Sequence, residues 1–335
     1  MTLSGGVTTI KTVWETGVNL RRKRAQLRAV AELLGVHRTY DYQYHTGLRS
    51  VLVEGHEDWY PAPNDFAVLA RWTSPSYAAH YQAERLFSEL PRFNSQEGMV
   101  LIGGPTAEIV SRAVYGYIFD RHTGTTEYHG GIVSLPYTWQ ADARRVSAIV
   151  KTPSEIVEHR EGPAWYLVDS SVNPPRDWYP DVSMSGILRR DYLLITSTPA
   201  YYSESAMEHG RRLISIAGCH GVGTRSAERL LTQVRPRTQL LRAAQGSQAF
   251  QALFRCDVKN DGSEPLPLLP TSVDMVDFKT VPWDRDVATR ATRAFDAFYP
   301  QWFQTLPVEL VAPQAARERP RTPLTPGPAS RPSGR

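Results

Sequence analysis

The stretch that most constrains this chain is a strand that runs into three glycines and then a helix. Leu213-Ile-Ser-Ile-Ala217 is apolar and rich in β-branched residues. Gly218-Cys-His-Gly-Val-Gly-Thr224 follows, and Arg225-Ser-Ala-Glu-Arg-Leu-Leu231 has helical spacing. Glycine turns the backbone tightly because no Cβ stands in the way. The first amides of a helix have no intrahelical partner, and the helix dipole favours an anion beside them. Such a turn ends a strand of an α/β layer fold and offers main-chain donors to a phosphate or a nucleotide. Gly218, Gly221, Gly223 and Thr224 are therefore candidate ligand-binding residues, with Cys219 and His220 lodged among them.

A second unit of the same kind lies earlier. Met99-Val-Leu-Ile102 is a continuous apolar run, as expected of a strand buried on both faces. Gly103-Gly-Pro-Thr106 turns it into a helix with Ile109, Val110, Ala113 and Val114 on one face. In an open α/β sheet, ligands bind beyond the carboxyl ends of the strands. If the two strands are parallel neighbours, Gly103, Gly104 and Thr106 face the same crevice as Gly218–Thr224. The remaining pattern adds strands near Val51–Glu54, Ala164–Asp169, Asp191–Thr196 and Asp274–Val281, and a β-hairpin across 115–130. Ser247–Phe254 reads as helical, Phe66–Trp72 as a strand or short helix, and 131–162 is weakly patterned. The expected class is α/β: a mostly parallel sheet with helices on its faces, antiparallel hairpin additions and an N-terminal helix.

The segment Gly221-Val-Gly-Thr224 with a glutamate on the following helix resembles the Gly-Gly-x-Gly-Thr-x-x-Glu motif of the lysine-decarboxylase-like nucleotide phosphoribohydrolases. Their wider group includes Rossmann-like nucleotide sensors. The Ile102-Gly-Gly104 turn is similar to their first glycine turn. His220 stands at the family's first glycine and Ala227 at its glutamate, with Glu228 one residue on, about 100° around a helix. The resemblance implies a Rossmann-like fold and a nucleotide-derived ligand. It also implies that the protein is a sensor or a hydrolase of an N-glycosidic bond, with Glu228 or His220 as acid/base.

Other residues carry rival chemistry. A thiol at a helix N-terminus, as at Cys219, can have a lowered pKa and act as a nucleophile, and His220 beside it could serve as its base. Asp120, His122, Glu127 and His129 fall across the hairpin, where alternate strand positions share a face and can hold a metal; solvated turn residues give the same pattern, and no metal is assigned. Trp178-Tyr179 and Tyr201-Tyr202 can wall a ring-binding pocket or simply pack a loop.

Residues 1–47 form a basic segment. Leu20, Leu27, Val30, Ala31 and Leu34 share a helical face, and Ala31-Glu-Leu-Leu-Gly35 resembles the first helix and turn of a helix-turn-helix. A DNA-binding regulator using His37–Gln43 for recognition is the alternative function, and a non-catalytic interaction protein the third. Residues 48–311 read as the α/β core, and 312–335, with six prolines and five arginines from 313 on, as a disordered tail. Asp-Trp-Tyr-Pro occurs at 58–61 and 177–180, each about 40 residues before a strand ending in glycine, which suggests duplicated halves near 50–150 and 164–258. Five lysines against 33 arginines make the net charge of +4 a poor argument for nucleic acid. No apolar run approaches the roughly 20 residues of a membrane span. With no leader pattern at the N-terminus and two cysteines in separate segments, a cytoplasmic protein is expected. The cofactor and the oligomeric state are left open.

Overall fold

The computed structural model describes residues 25, 28–30, 32–34, 41–53, 56–73, 91–105, 108–120, 125–146, 163–182, 188–259 and 270–306. The two glycine-ended strands lie side by side in its largest sheet. Strand β4 (Gly98–Ile102) pairs in parallel with β1 (Tyr42–Thr46) on one side and with β12 (Arg212–Gly218) on the other. Beyond β12 the sheet continues through β11 (Leu188–Pro199), β13 (Phe250–Val258) and β14 (Pro270–Thr280), each pairing antiparallel, with the short β10 (Asp181–Val182) on β11. The sheet is thus mixed rather than mostly parallel. The parallel half holds both glycine turns, as the sequence led one to expect.

Three smaller ribbons complete the β structure: β2 (Leu48–Val53) with β3 (His56–Pro61), β5 (Tyr117–Asp120) with β6 (Thr125–Tyr128), and β7 (Tyr137–Val146) with β8 (Pro163–Asp169) and β9 (Arg176–Trp178). The helices are α1 (Pro63–Trp72), α2 (Ile109–Tyr115), α3 (Glu204–Glu208), α4 (Gly221–Arg225), α5 (Glu228–Thr232), α6 (Val234–Ala243) and α7 (Arg285–Gln304).

Met99, Val100, Leu101 and Ile102 are wholly buried, because β4 has a neighbour on each edge and cover on each face. Ser247–Phe254 was expected to be helical, but β13 starts within it, at Phe250. A short apolar run fits either period, and here pairing with both β11 and β14 decides for the strand. Phe66–Trp72 settles as helix α1, with Pro63 in its first turn. The weakly patterned 131–162 contains the ten-residue β7. Helix α7 turns Ala291, Phe295 and Trp302 inward, and the Trp302 indole N–H donates to the Ile109 carbonyl at 3.1 Å, tying α7 to α2.

One buried apolar cluster runs from Val30 and Leu34 to Leu306. Two residues of the basic N-terminal segment serve the core: Val30 and Leu34 are fully buried, and the Leu34 amide donates to the Val30 carbonyl as in a helix. The segment proposed for DNA recognition, His37–Gln43, ends in β1. Tyr42 and Gln43 pair with Gly98 and Met99, and the Gln43 amide is held by the Arg92 backbone and Ser95. The two Asp-Trp-Tyr-Pro segments fall on or beside the outer strands β3 and β9, not in the main sheet. The hairpin tip with His122 and the arginine-rich tail lie outside the described residues.

Candidate functional site

The carboxyl ends of β1, β4 and β12 form one continuous edge. The Gly47 amide donates to the Ile102 carbonyl at 2.9 Å, and the Gly103 amide to the Ile216 carbonyl at 2.9 Å, so adjacent strands stay joined as they leave the sheet. Gly103 has φ +119°, a conformation that disfavours any side chain. A Cβ there would also stand 2.6 Å from Asp65 Oδ2 and 3.3 Å from Glu108 Cβ. Gly103 thus sits between two buried acids, one from α1 and one from the start of α2. Thr106 lies outside the described residues.

Helix α2 begins at Glu108, whose own carboxylate accepts from the Val110 amide at 3.0 Å and from the Ser111 amide. The Glu108 amide in turn donates to the Gly104 carbonyl at 2.8 Å. Glu108 is 1% exposed. Loss of solvent raises its pKa more than the Ser111 and Val110 hydrogen bonds lower it, leaving it at about 7.

At the second turn the amides point inward. Asp191, fully buried on β11, accepts from the Gly223 amide at 2.7 Å and from the His220 amide at 3.1 Å through Oδ2. Its Oδ1 accepts from the Tyr192 amide at 2.9 Å and lies 3.3 Å from His220 Nδ1. The place where a phosphate was expected is filled by the protein's own carboxylate, and the donors of Gly223 and His220 are engaged by it. Helix α4 has only five residues, so it contributes little dipole of its own.

The other residues of the turn have packing roles. Thr224 Oγ1 accepts from the Gly218 amide at 2.9 Å and closes the loop. A Cβ on Gly223 would stand 2.5 Å from the Tyr192 carbonyl and 2.6 Å from Asp191 Oδ2. A Cβ on Gly221 would instead press on the Asn64 side chain of α1. Cys219 is buried, and burial, followed by the nearby Asp191 charge, drives its thiol pKa well up. That environment opposes a nucleophilic thiolate, contrary to the reading of a thiol at a helix N-terminus. Glu228 accepts from Arg225 Nε at 3.2 Å one turn away. Among the described residues no group of His, Cys, Asp and Glu is arranged to hold a metal.

The structure therefore brings Gly103, Gly104, Gly218, His220 and Gly221 to one edge, backed by Asp65, Glu108 and Asp191. None of the three acids was singled out in the sequence. Asp191 opens an apolar strand and reads as a solvent-facing end; Glu108 reads as an ordinary helix-start acid. Glu108 follows the Gly103–Gly104 turn by four residues, whereas Asp65 and Asp191 meet their turns only through the fold. Two cavities among the described residues lie elsewhere: a cleft of about 420 Å³ between 129–132 and α7, and a chamber of about 10 Å³ beneath Tyr128. No family model, curated protein or solved structure matches the chain.

Proposed function

We propose that this chain is a nucleotide- or phosphometabolite-binding protein that works as a sensor at the carboxyl edge of β1, β4 and β12. The observation that carries the reading is the convergence of both glycine turns on that edge, with Asp65, Glu108 and Asp191 buried behind them. Ligands of α/β sheets bind at such edges. Asp191 and Glu108 already accept from backbone amides and are shut from solvent, so they brace the edge from behind rather than contact the ligand. A phosphate is left to the Gly104 and Gly221 backbone, because Asp191 engages the His220 and Gly223 amides.

Sensing is favoured over hydrolysis. A hydrolase of an N-glycosidic bond needs an acid/base group, and Glu228 is engaged by Arg225. Glu108, at about 7, has the better pKa for that task. It is, however, committed to capping α2 and shut from solvent. The test is calorimetric titration of the full chain with AMP, ADP and ADP-ribose, with product analysis of the same mixtures. The reading expects saturable binding without release of free base. It is overturned by the absence of saturable binding for all three at millimolar concentration.

A further inference from the structure

Helix α6 buries an arginine that has no anion beside it. Along α6, Pro236, Arg237 and Leu240 face inward, and Ala244 continues that face one turn on. Helical spacing thus sets Arg237 on the apolar face, where a charge is costly unless it is paired. Arg237 is 2% exposed. Its Nη1 donates to the Leu231 carbonyl at 3.1 Å, while its Nε is buried and makes no hydrogen bond. Among the described residues no carboxylate pairs with it, and burial alone lowers its pKa. Arg211 and Arg225 are more exposed, yet each holds a carboxylate, Asp41 at 2.9 Å and Glu228 at 3.2 Å.

The place of the guanidinium matters as much as its burial. The Leu231 carbonyl lies three residues before α6 begins, and helical side chains lean toward the helix N-terminus. The guanidinium therefore stands at the start of α6. Gln233 enters the helix extended and gives it no side-chain cap, the first turn holds no acid, and Pro236 has no N–H to offer. The amides of Val234 and Arg235 are left to lead the helix. This end of the dipole is positive, and Arg235 and Arg237 both add to it. Arg235 is offset by Asp274 at 3.4 Å; no described side chain offsets Arg237. Val234 is 46% exposed, which keeps the spot beside solvent.

We propose that the start of α6 is a phosphate site. The Nε and Nη2 of Arg237 form a fork for two oxygens, and the Val234 and Arg235 amides serve a third. Donors from two directions, with two cations at hand, suit a tetrahedral dianion better than a planar monoanion. None of these residues belongs to the glycine-turn edge, so the failure of either site leaves the other standing.

The experiment is NMR of the full chain titrated with sodium phosphate, glycerol phosphate and sodium acetate at constant ionic strength. It follows the Val234 and Arg235 amides and the Arg237 Nε–H. Saturable shifts of all three with phosphate are expected. Arg237→Met keeps the length and removes the charge, and should weaken phosphate about tenfold or more. Unchanged exchange of the Leu240 and Leu241 amides checks that α6 stays folded. Arg237→Lys keeps the charge without the fork and should recover only part of the binding. Should Arg237→Met fail to fold, the wild-type Nε–H signal still decides. Tighter binding of glycerol phosphate assigns the site to a phosphorylated ester, and equal or weaker binding to the free ion; both sustain it. The proposal is overturned if millimolar phosphate leaves the three N–H signals in place, if Arg237→Met binds as wild type does, or if acetate binds as tightly as phosphate.

Discussion

Asp191 Oδ2 sits 2.7 Å from the Gly223 amide nitrogen, so a fully buried carboxylate on β11 occupies the mouth of the glycine turn that follows β12. One acceptor locks strand β11 to the turn that ends its neighbour β12. Hydrogen bonds to a charged group contribute about 1.5–3 kcal/mol each, and the amides of His220, Gly223 and Tyr192 share this one. Asp191→Asn keeps the shape but turns a donor toward those amides. It is expected to lose about 2–4 kcal/mol in urea unfolding; a loss below about 0.5 kcal/mol would show that the carboxylate is not what organises the turn.

The glycines of the turn are not equivalent. Gly223→Ala places a Cβ against the Tyr192 carbonyl and Asp191, neither of which can yield, and is expected to cost about 3 kcal/mol or prevent folding. Gly221→Ala meets only the Asn64 side chain. Its smaller cost should be relieved by a companion Asn64→Ala change. Equal unfolding midpoints for the two single variants would contradict this assignment.

Two buried groups shape the acid response in opposite directions. Glu108 is raised to about 7 by desolvation, so its contribution to stability is fully present below its unfolded value near 4.5 and is lost as pH rises through about 7. His45 is lowered to about 4, first by desolvation and then by Arg92. Its contribution is present above about 6.5 and is lost as pH falls through about 4. Between these limits the two slopes oppose each other, each at most about 1.4 kcal/mol per pH unit. Glu108→Gln should leave stability rising with pH across that window, and His45→Gln should leave it falling. Unfolding free energies measured at half-unit steps check both, and parallel profiles for the two variants would refute the pairing.

Gln251 fastens β7 to the main sheet through both polar atoms of its amide. Gln251→Leu strands the Tyr137 amide and carbonyl in a buried place and should cost about 2–4 kcal/mol. Gln251→Glu keeps the acceptor for the Tyr137 amide and loses the donors. Hydrogen exchange at Tyr137 should therefore accelerate more in the leucine variant than in the glutamate one.

Much of the parallel half was legible in the sequence. Met99–Ile102 and Leu213–Gly218 are apolar runs closed by glycine, and their identity as strands follows from that punctuation; that they pair in parallel comes from the structure. The antiparallel half was harder to read. Phe250–Phe254 has no alternation because both its faces are buried, so period alone does not separate strand from helix. The site was legible in its glycines and not in its acids. A carboxylate that fills a turn from another strand leaves no local signature, since Asp191 and Gly223 are brought together only by the pairing of β11 with β12. The same pairing turns the expected anion donors of His220 and Gly223 inward onto Asp191.

The most direct test of a ligand at this edge is amide-resolved NMR of the deuterated full chain titrated with AMP, ADP and ADP-ribose. Saturable shifts should concentrate at Gly103, Gly104 and Gly221, while the Gly223 amide, held by Asp191, moves least. Spectra in which these glycine amides stay fixed at saturating nucleotide, or in which shifts gather only on the Tyr128 side of the sheet, would contradict the account.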